Sequence, residues 1–240
     1  MEDDDYIPPV WVHRHHHGWP LRILLGILLA VIVIFLLIEA GEFAFAKLGF
    51  TPLEFAIILI LTFLGSTIDI PLYRVRSLVP MVQVQEVRVF WLTYHVPRRV
   101  LRQVTTTIAL NFGGGLIPIA ISAYLLSTHL GELTVLAVVG TAITSVLVHL
   151  VAKRVPGVGI VTPAFLPPLF AAVVALILAP GSPAIVAYVS GTLGALIGAD
   201  LTNLRGADHS GAAMESIGGA GTFDGVFLTG LIAVILAAIF

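Results

Sequence analysis

Apolar residues run through this chain in long blocks, not in the short alternations of half-buried strands. A helix needs about 20 such residues to cross roughly 30 Å of hydrocarbon. Seven blocks approach that length, at about 21–43, 52–68, 104–126, 131–152, 164–179, 183–203 and 223–240. The pattern predicts an all-α fold, a polytopic transmembrane helix bundle of about seven spans forming one domain over 21–240, behind a leader at 1–20. The fifth block is short, and the loop before it, V-P-G-V-G-I-V-T-P-A-F-L-P-P, has almost no charge. Residues 155–168 are therefore a candidate re-entrant segment, which is tolerated at membrane depth only when buried in protein or lining a water-filled cavity.

The longest polar interruption, 69–103, breaks the helical pattern. In M-V-Q-V-Q-E-V-R-V-F-W, apolar residues alternate at Val82 and Val84, then at Val87 and Val89, with a change of phase at Gln85 and Glu86. This predicts a small cytoplasmic β-hairpin or bulged strand. Six arginines give the insertion a basic character. With no nucleic-acid-binding motif present, the expected contact is anionic lipid, not nucleic acid.

Composition agrees with lipid as the main solvent: 58% of residues are hydrophobic, 11% are charged, and the mean hydropathy is +1.04. Soluble domains carry about a quarter charged residues. The absence of cysteine removes thiol nucleophiles and thiolate metal sites. The acidic start M-E-D-D-D-Y lacks the basic region of a signal peptide, so the first block reads as a permanent span. His13, His15, His16 and His17 lie between Trp11 and Trp19 in what reads as a polar interfacial leader. They have no carboxylate at fixed spacing, and no metal or cofactor is expected.

Charge also predicts orientation. Seven spans would place Arg14, Arg22, Arg74, Arg76, Arg88, Arg98, Arg99, Arg102, Lys153, Arg154 and Arg205 on one face and only Lys47 on the other. By the positive-inside rule the N-terminus is then cytoplasmic and the C-terminus outside, in a multi-pass protein of the plasma (inner) membrane. The bilayer is the principal expected partner, with homo-oligomerisation left open.

Ionisable groups at membrane depth are costly and point to a partner or a function. In this topology Asp69, Asp200 and Asp224 all lie at cytoplasmic ends of spans. Asp224 follows Thr222, a natural N-cap, and the helix dipole favours it there. Asp200 ends its helix, where the dipole opposes a carboxylate, and Arg205 is the nearest cation in sequence. Asn203 follows Asp200 in the same turn. Asn111, in N-F-G-G-G-L-I-P, brings an amide to a stretch whose glycines and Pro118 weaken the helix, the kind of break transporters use to expose backbone to a solute. Substrate- or ion-binding candidates are therefore Asp200, Asp224, Asp69, Asn111, Asn203 and Arg205. Ser190, Gly194 and Gly198 recur at four-residue spacing and predict a helix-packing seam.

Five strings, G-S-T-I-D-I-P-L-Y, A-L-N-F-G-G-G-L-I-P, V-P-G-V-G-I-V-T-P-A-F-L-P-P, G-A-D-L-T-N-L and S-I-G-G-A-G-T-F-D-G-V-F-L-T-G, occur in this order. Together they resemble the prokaryotic multi-spanning membrane family called domain of unknown function 1614. The resemblance implies a membrane protein of archaeal or bacterial type and supplies no activity. A looser likeness is to intramembrane aspartyl proteases, for which Asp200 and Asp224 would be the catalytic pair. Gly198-Ala199-Asp200 departs from their Gly-x-Gly-Asp motif, and Pro163-Ala164-Phe165 from their Pro-Ala-Leu. The favoured expectation is transport or binding of a small solute or ion through a cytoplasm-facing cavity lined by aspartates. An aspartyl-type hydrolase and a non-catalytic structural or assembly protein are the alternatives, and enzymatic activity is left open.

Overall fold

The computed structural model describes residues 19–155, 159–204, 213–219 and 225–239. The His-rich leader, Arg205 and Asp224 lie outside them. The chain divides into two units, Met1–Glu39 and Ala40–Phe240.

In the first unit, the helix α1, Trp19–Lys47, begins and runs on into the second. Its large apolar side chains between Ile23 and Ile38 are exposed within the chain. The second unit opens on the last turns of α1, where Ala44 and Phe45 are fully buried. Helix α2, Pro52–Gly65, starts with a capping box: Thr51 N–H donates to Glu54 Oε2 at 2.7 Å, and Glu54 N–H donates to Thr51 Oγ1 at 3.3 Å.

Two long antiparallel strands follow, β1 at Asp69–Val89 and β2 at Leu92–Asn111. Next come a short π-helix, Phe112–Leu116, and the helices α3, Ile117–Thr128, and α4, Glu132–Val151. A small hairpin pairs β3, Lys153–Val155, with β4, Gly159–Val161, before α5, Leu166–Leu178. Helix α6, Pro183–Ala195, runs into a second π-helix, Leu196–Asp200. Strand β5, Met214–Ile217, then pairs parallel to the end of β2, and α7, Gly225–Ile239, closes the chain.

The fold is therefore mixed, and the expectation of an all-α bundle of seven spans is overturned. Among the described residues there are five strands in two sheets, and three helical stretches are long and apolar enough to cross a membrane: Ile23–Lys47, Glu132–Val151 and Pro183–Leu204. These match three of the seven blocks. Within the described residues, the expected spans at 52–68, 164–179 and 223–240 hold helices of 14, 13 and 15 residues, short of the length a helix needs to cross. The block at 104–126 is divided: Val104 to Asn111 is strand, and α-helix begins only at Ile117. Consecutive β-branched residues at Val104, Thr105, Thr106, Thr107 and Ile108 favour the extended backbone, whatever their hydropathy. With the seven crossings gone, the assignment of arginines to one face and of the termini to opposite sides loses its basis.

The hairpin expected at 69–103 is present but is not small. It spans 69–111, and its register is continuous through Gln85 and Glu86, where a bulge was expected; the one register shift falls between Pro71 and Tyr73. Of the candidate re-entrant segment 155–168, Val155 ends β3, Gly159–Val161 form β4 and Leu166 starts α5, while residues 156–158 lie outside the described residues.

Helix α6 organises the second unit. It is buried nearly all round, including Tyr188, because α3, α4, α5 and α7 all pack on it. Its expected seam is present: a Cβ on Gly140 of α4 would stand 3.3 Å from the Cβ of Ser190, and one on Gly194 would stand 2.8 Å from the Cβ of Thr144. Small residues bring these backbones into contact without side chains between them. The rings of Phe45, Phe55, Tyr188 and Phe227 fill the core, with centroids 5.0 to 6.2 Å from that of Phe45.

Candidate functional site

The base of the long hairpin is where separated parts of the sequence meet. Asn111 ends β2 and caps the π-helix, accepting the Gly114 N–H at 2.8 Å through its side-chain oxygen. Its side-chain nitrogen donates to the Ser66 carbonyl at 2.8 Å and to Asp69 Oδ1 at 3.1 Å. One amide thus ties the end of α2, the start of β1 and the π-helix together, and it is 3% exposed. Gly113 lies against the backbone of Thr62, Gly65 and Ser66, where no Cβ fits.

The segment 214–219 brings the acids together. Ser216 Oγ donates to Asp69 Oδ1, and two residues later the Gly218 N–H donates to Asp200 Oδ2 at 2.7 Å. Gly218 has φ +70°, and a Cβ there would be 2.7 Å from Gly115 Cα, so a side chain is excluded by both conformation and space. The remaining oxygen of each aspartate has no hydrogen-bond partner among the described residues. On the opposite face of the strand, both carboxylate oxygens of Glu215 are buried without a partner. That face packs through Ile108, Leu110 and Ile217 against Ala195, Leu196 and Val226.

Asn203 is engaged locally, donating to the Ala199 carbonyl at 2.8 Å, while its own carbonyl accepts from Arg154 Nη2. Arg154 Nη1 is buried and unpartnered. His149 Nδ1 lies 2.8 Å from Thr202 Oγ1 beside this turn. Arg205 and Asp224 fall outside the described residues, so the expected pairings of Asp200 with either have no geometry here. Among the described residues the one close acid–base contact is His95 Nε2 to Glu86 Oε1, at 3.5 Å, and none reaches Asp69, Asp200 or Glu215. No group of three His, Cys, Asp or Glu has metal-holding geometry among the described residues.

Four of the strings noted in the sequence therefore meet: G-S-T-I-D, N-F-G-G-G, G-A-D-L-T-N and S-I-G-G. The family model described as Protein of unknown function (DUF1614) matches the chain over residues 63–236, a stretch holding all four. The chain belongs to the DUF1614 family. No curated protein and no solved structure matches it.

In this DUF1614 chain the structure joins Asp69, Asn111 and Asp200 through Ser216 and Gly218, and holds Asn203 in a neighbouring turn. Sequence reasoning missed Ser216, Glu215 and Arg154. Ser216 was legible only as the start of S-I-G-G, Glu215 as an acid inside a glycine-rich connection, and Arg154 as one charge in a topology tally. The match begins within α2, so α1 stands outside the DUF1614 region.

Proposed function

We propose that the chain is an integral membrane protein that binds or transports a small cationic solute or the proton, using Asp200 as the acceptor. The three long apolar helices are compatible with a membrane protein. The observation that carries the reading is that Asp200 is held by the Gly218 N–H, two residues from the Ser216 hydroxyl that binds Asp69, with no cationic partner among the described residues. An ionisable side chain in a membrane-spanning segment without a countercharge points to a ligand or a function. Asp200 is the central acceptor, since one backbone N–H holds Oδ2 in place and Oδ1 has no hydrogen-bond partner among the described residues.

The test is potential-driven proton flux in liposomes carrying the purified chain and an internal pH dye. The wild-type chain should exceed protein-free vesicles, and Asp200→Asn should return to their level. Wild-type flux equal to that of empty vesicles, or full flux in Asp200→Asn, would sink the reading. A structural role for Asp69 is favoured by its two donors, Asn111 and Ser216, on one oxygen. On that account Asp69→Asn lowers thermal stability and leaves flux per folded molecule unchanged.

A further inference from the structure

The hairpin β1–β2 reaches far beyond the packing that holds its base. Strands of 21 and 20 residues give a ribbon roughly 65 Å long at about 3.3 Å per residue. Strand β5 covers β2 only from Thr107 to Leu110, so among the described residues the distal half has no third strand. A two-stranded ribbon exposed on both faces is marginal in water.

Its end is two-faced. The register sets positions 85, 87 and 89 across from 96, 94 and 92, and these read Gln, Val and Val against Val, Tyr and Leu. The other face sets Glu86 across from His95, with His95 Nε2 3.5 Å from Glu86 Oε1, and Arg88 across from Thr93. At the turn, Phe90 and Trp91 are 90% and 88% exposed, with ring centroids 5.9 Å apart.

We infer that the distal ribbon is a membrane-surface arm, lying with its Val96–Tyr94 face and its Phe90–Trp91 tip in the headgroup region of an anionic bilayer. Charge selects this occupant. Residues 69–103 hold six arginines against Asp69 and Glu86, so two ribbons repel each other while anionic headgroups attract them. Exposed Trp and Tyr rings settle at headgroup depth, and a face presenting Tyr94 and Val96, both about half exposed, is better matched to lipid than to a nucleic-acid backbone. The inference rests on the membrane reading of the long helices but not on the acid cluster, so a failed flux assay leaves it standing.

The chain has no cysteine, so single-cysteine spin labels can be placed without background. The full chain would carry Val96→Cys or Thr93→Cys and be reconstituted in phosphatidylcholine vesicles with or without phosphatidylglycerol. With phosphatidylglycerol, collisions with a water-soluble nickel chelate should fall severalfold at position 96 and remain high at 93. Adding Phe90→Ser and Trp91→Ser, or omitting phosphatidylglycerol, should restore collisions at 96. Equal water access at both positions in anionic vesicles overturns the inference, as does shielding at 96 that is independent of phosphatidylglycerol. Spin–spin broadening at 96 in detergent would assign the face to a second copy and overturn it equally.

Discussion

Asn111 does more than any other single side chain to define the base of the ribbon. Replacing it with Ala leaves the buried Gly114 N–H and the part-buried Ser66 carbonyl without their partner. A loss of about 1–3 kcal/mol is expected for such an orphaned group. Thermal unfolding in detergent should show it as a clear drop in midpoint, and an unchanged midpoint would remove Asn111 as the clamp. Glu54 gives a second test at this scale. Its hydrogen bonds to the Thr51 backbone and hydroxyl hold its carboxyl below the usual range, and it lies outside the three long apolar helices. A depressed carboxyl contributes stability above its unfolded pKa and loses it as pH falls through the folded value. Amide exchange in the first turn of α2 should therefore rise only when pH drops below the ordinary glutamate range. In Glu54→Gln that pH dependence should vanish.

Among the elements, the α4–α6 seam depends on missing side chains. Gly194→Ala would push a methyl group to 2.8 Å from the Thr144 Cβ, and overpacking of this kind costs about 1–3 kcal/mol. Gly26→Ala in α1 meets nothing within 4 Å and should be neutral or stabilise by roughly 0.5–1 kcal/mol through helix propensity. Comparing the two variants in one unfolding assay separates packing from propensity; equal effects would refute the seam. The long ribbon shows why blocks of apolar residues misled at this scale. Hydropathy was read correctly at 104–111, but runs of Val, Ile and Thr serve a buried strand as well as a lipid-facing helix. Only the pairing of Val104 with Ser77 through Asn111 with Asp69 assigned the segment to the sheet.

Over the whole molecule, the Ala40–Phe240 unit holds its own core, and the last turns of α1 belong to it. Phe45 is fully buried among Phe50, Phe55, Tyr188 and Phe227. Phe45→Ala should cost about 3–5 kcal/mol, measured by unfolding of the full chain. Removing residues 1–39 should leave the exchange-protected core of α4, α6 and α7 intact. Loss of that protection would show that the second unit does not stand alone.

By itself the sequence determined the apolar composition, the positions of α1, α4 and α6, the small-residue seam of α6, and Asp69, Asn111 and Asp200 as groups to watch. These follow from local composition and from periodicity along one helix, both of which can be read without knowing what packs against what. The tertiary structure decided that residues 69–111 form one ribbon and that four distant strings share its base. It also decided that Ser216 and Gly218 are what join Asp69 to Asp200. Hydrogen bonds between residues 147 positions apart leave no periodic trace, because their partners become neighbours only when the chain folds back. The glycines of S-I-G-G and N-F-G-G-G could be seen as flexible or as small, but that Gly218 and Gly115 are in backbone contact is a property of the packed fold.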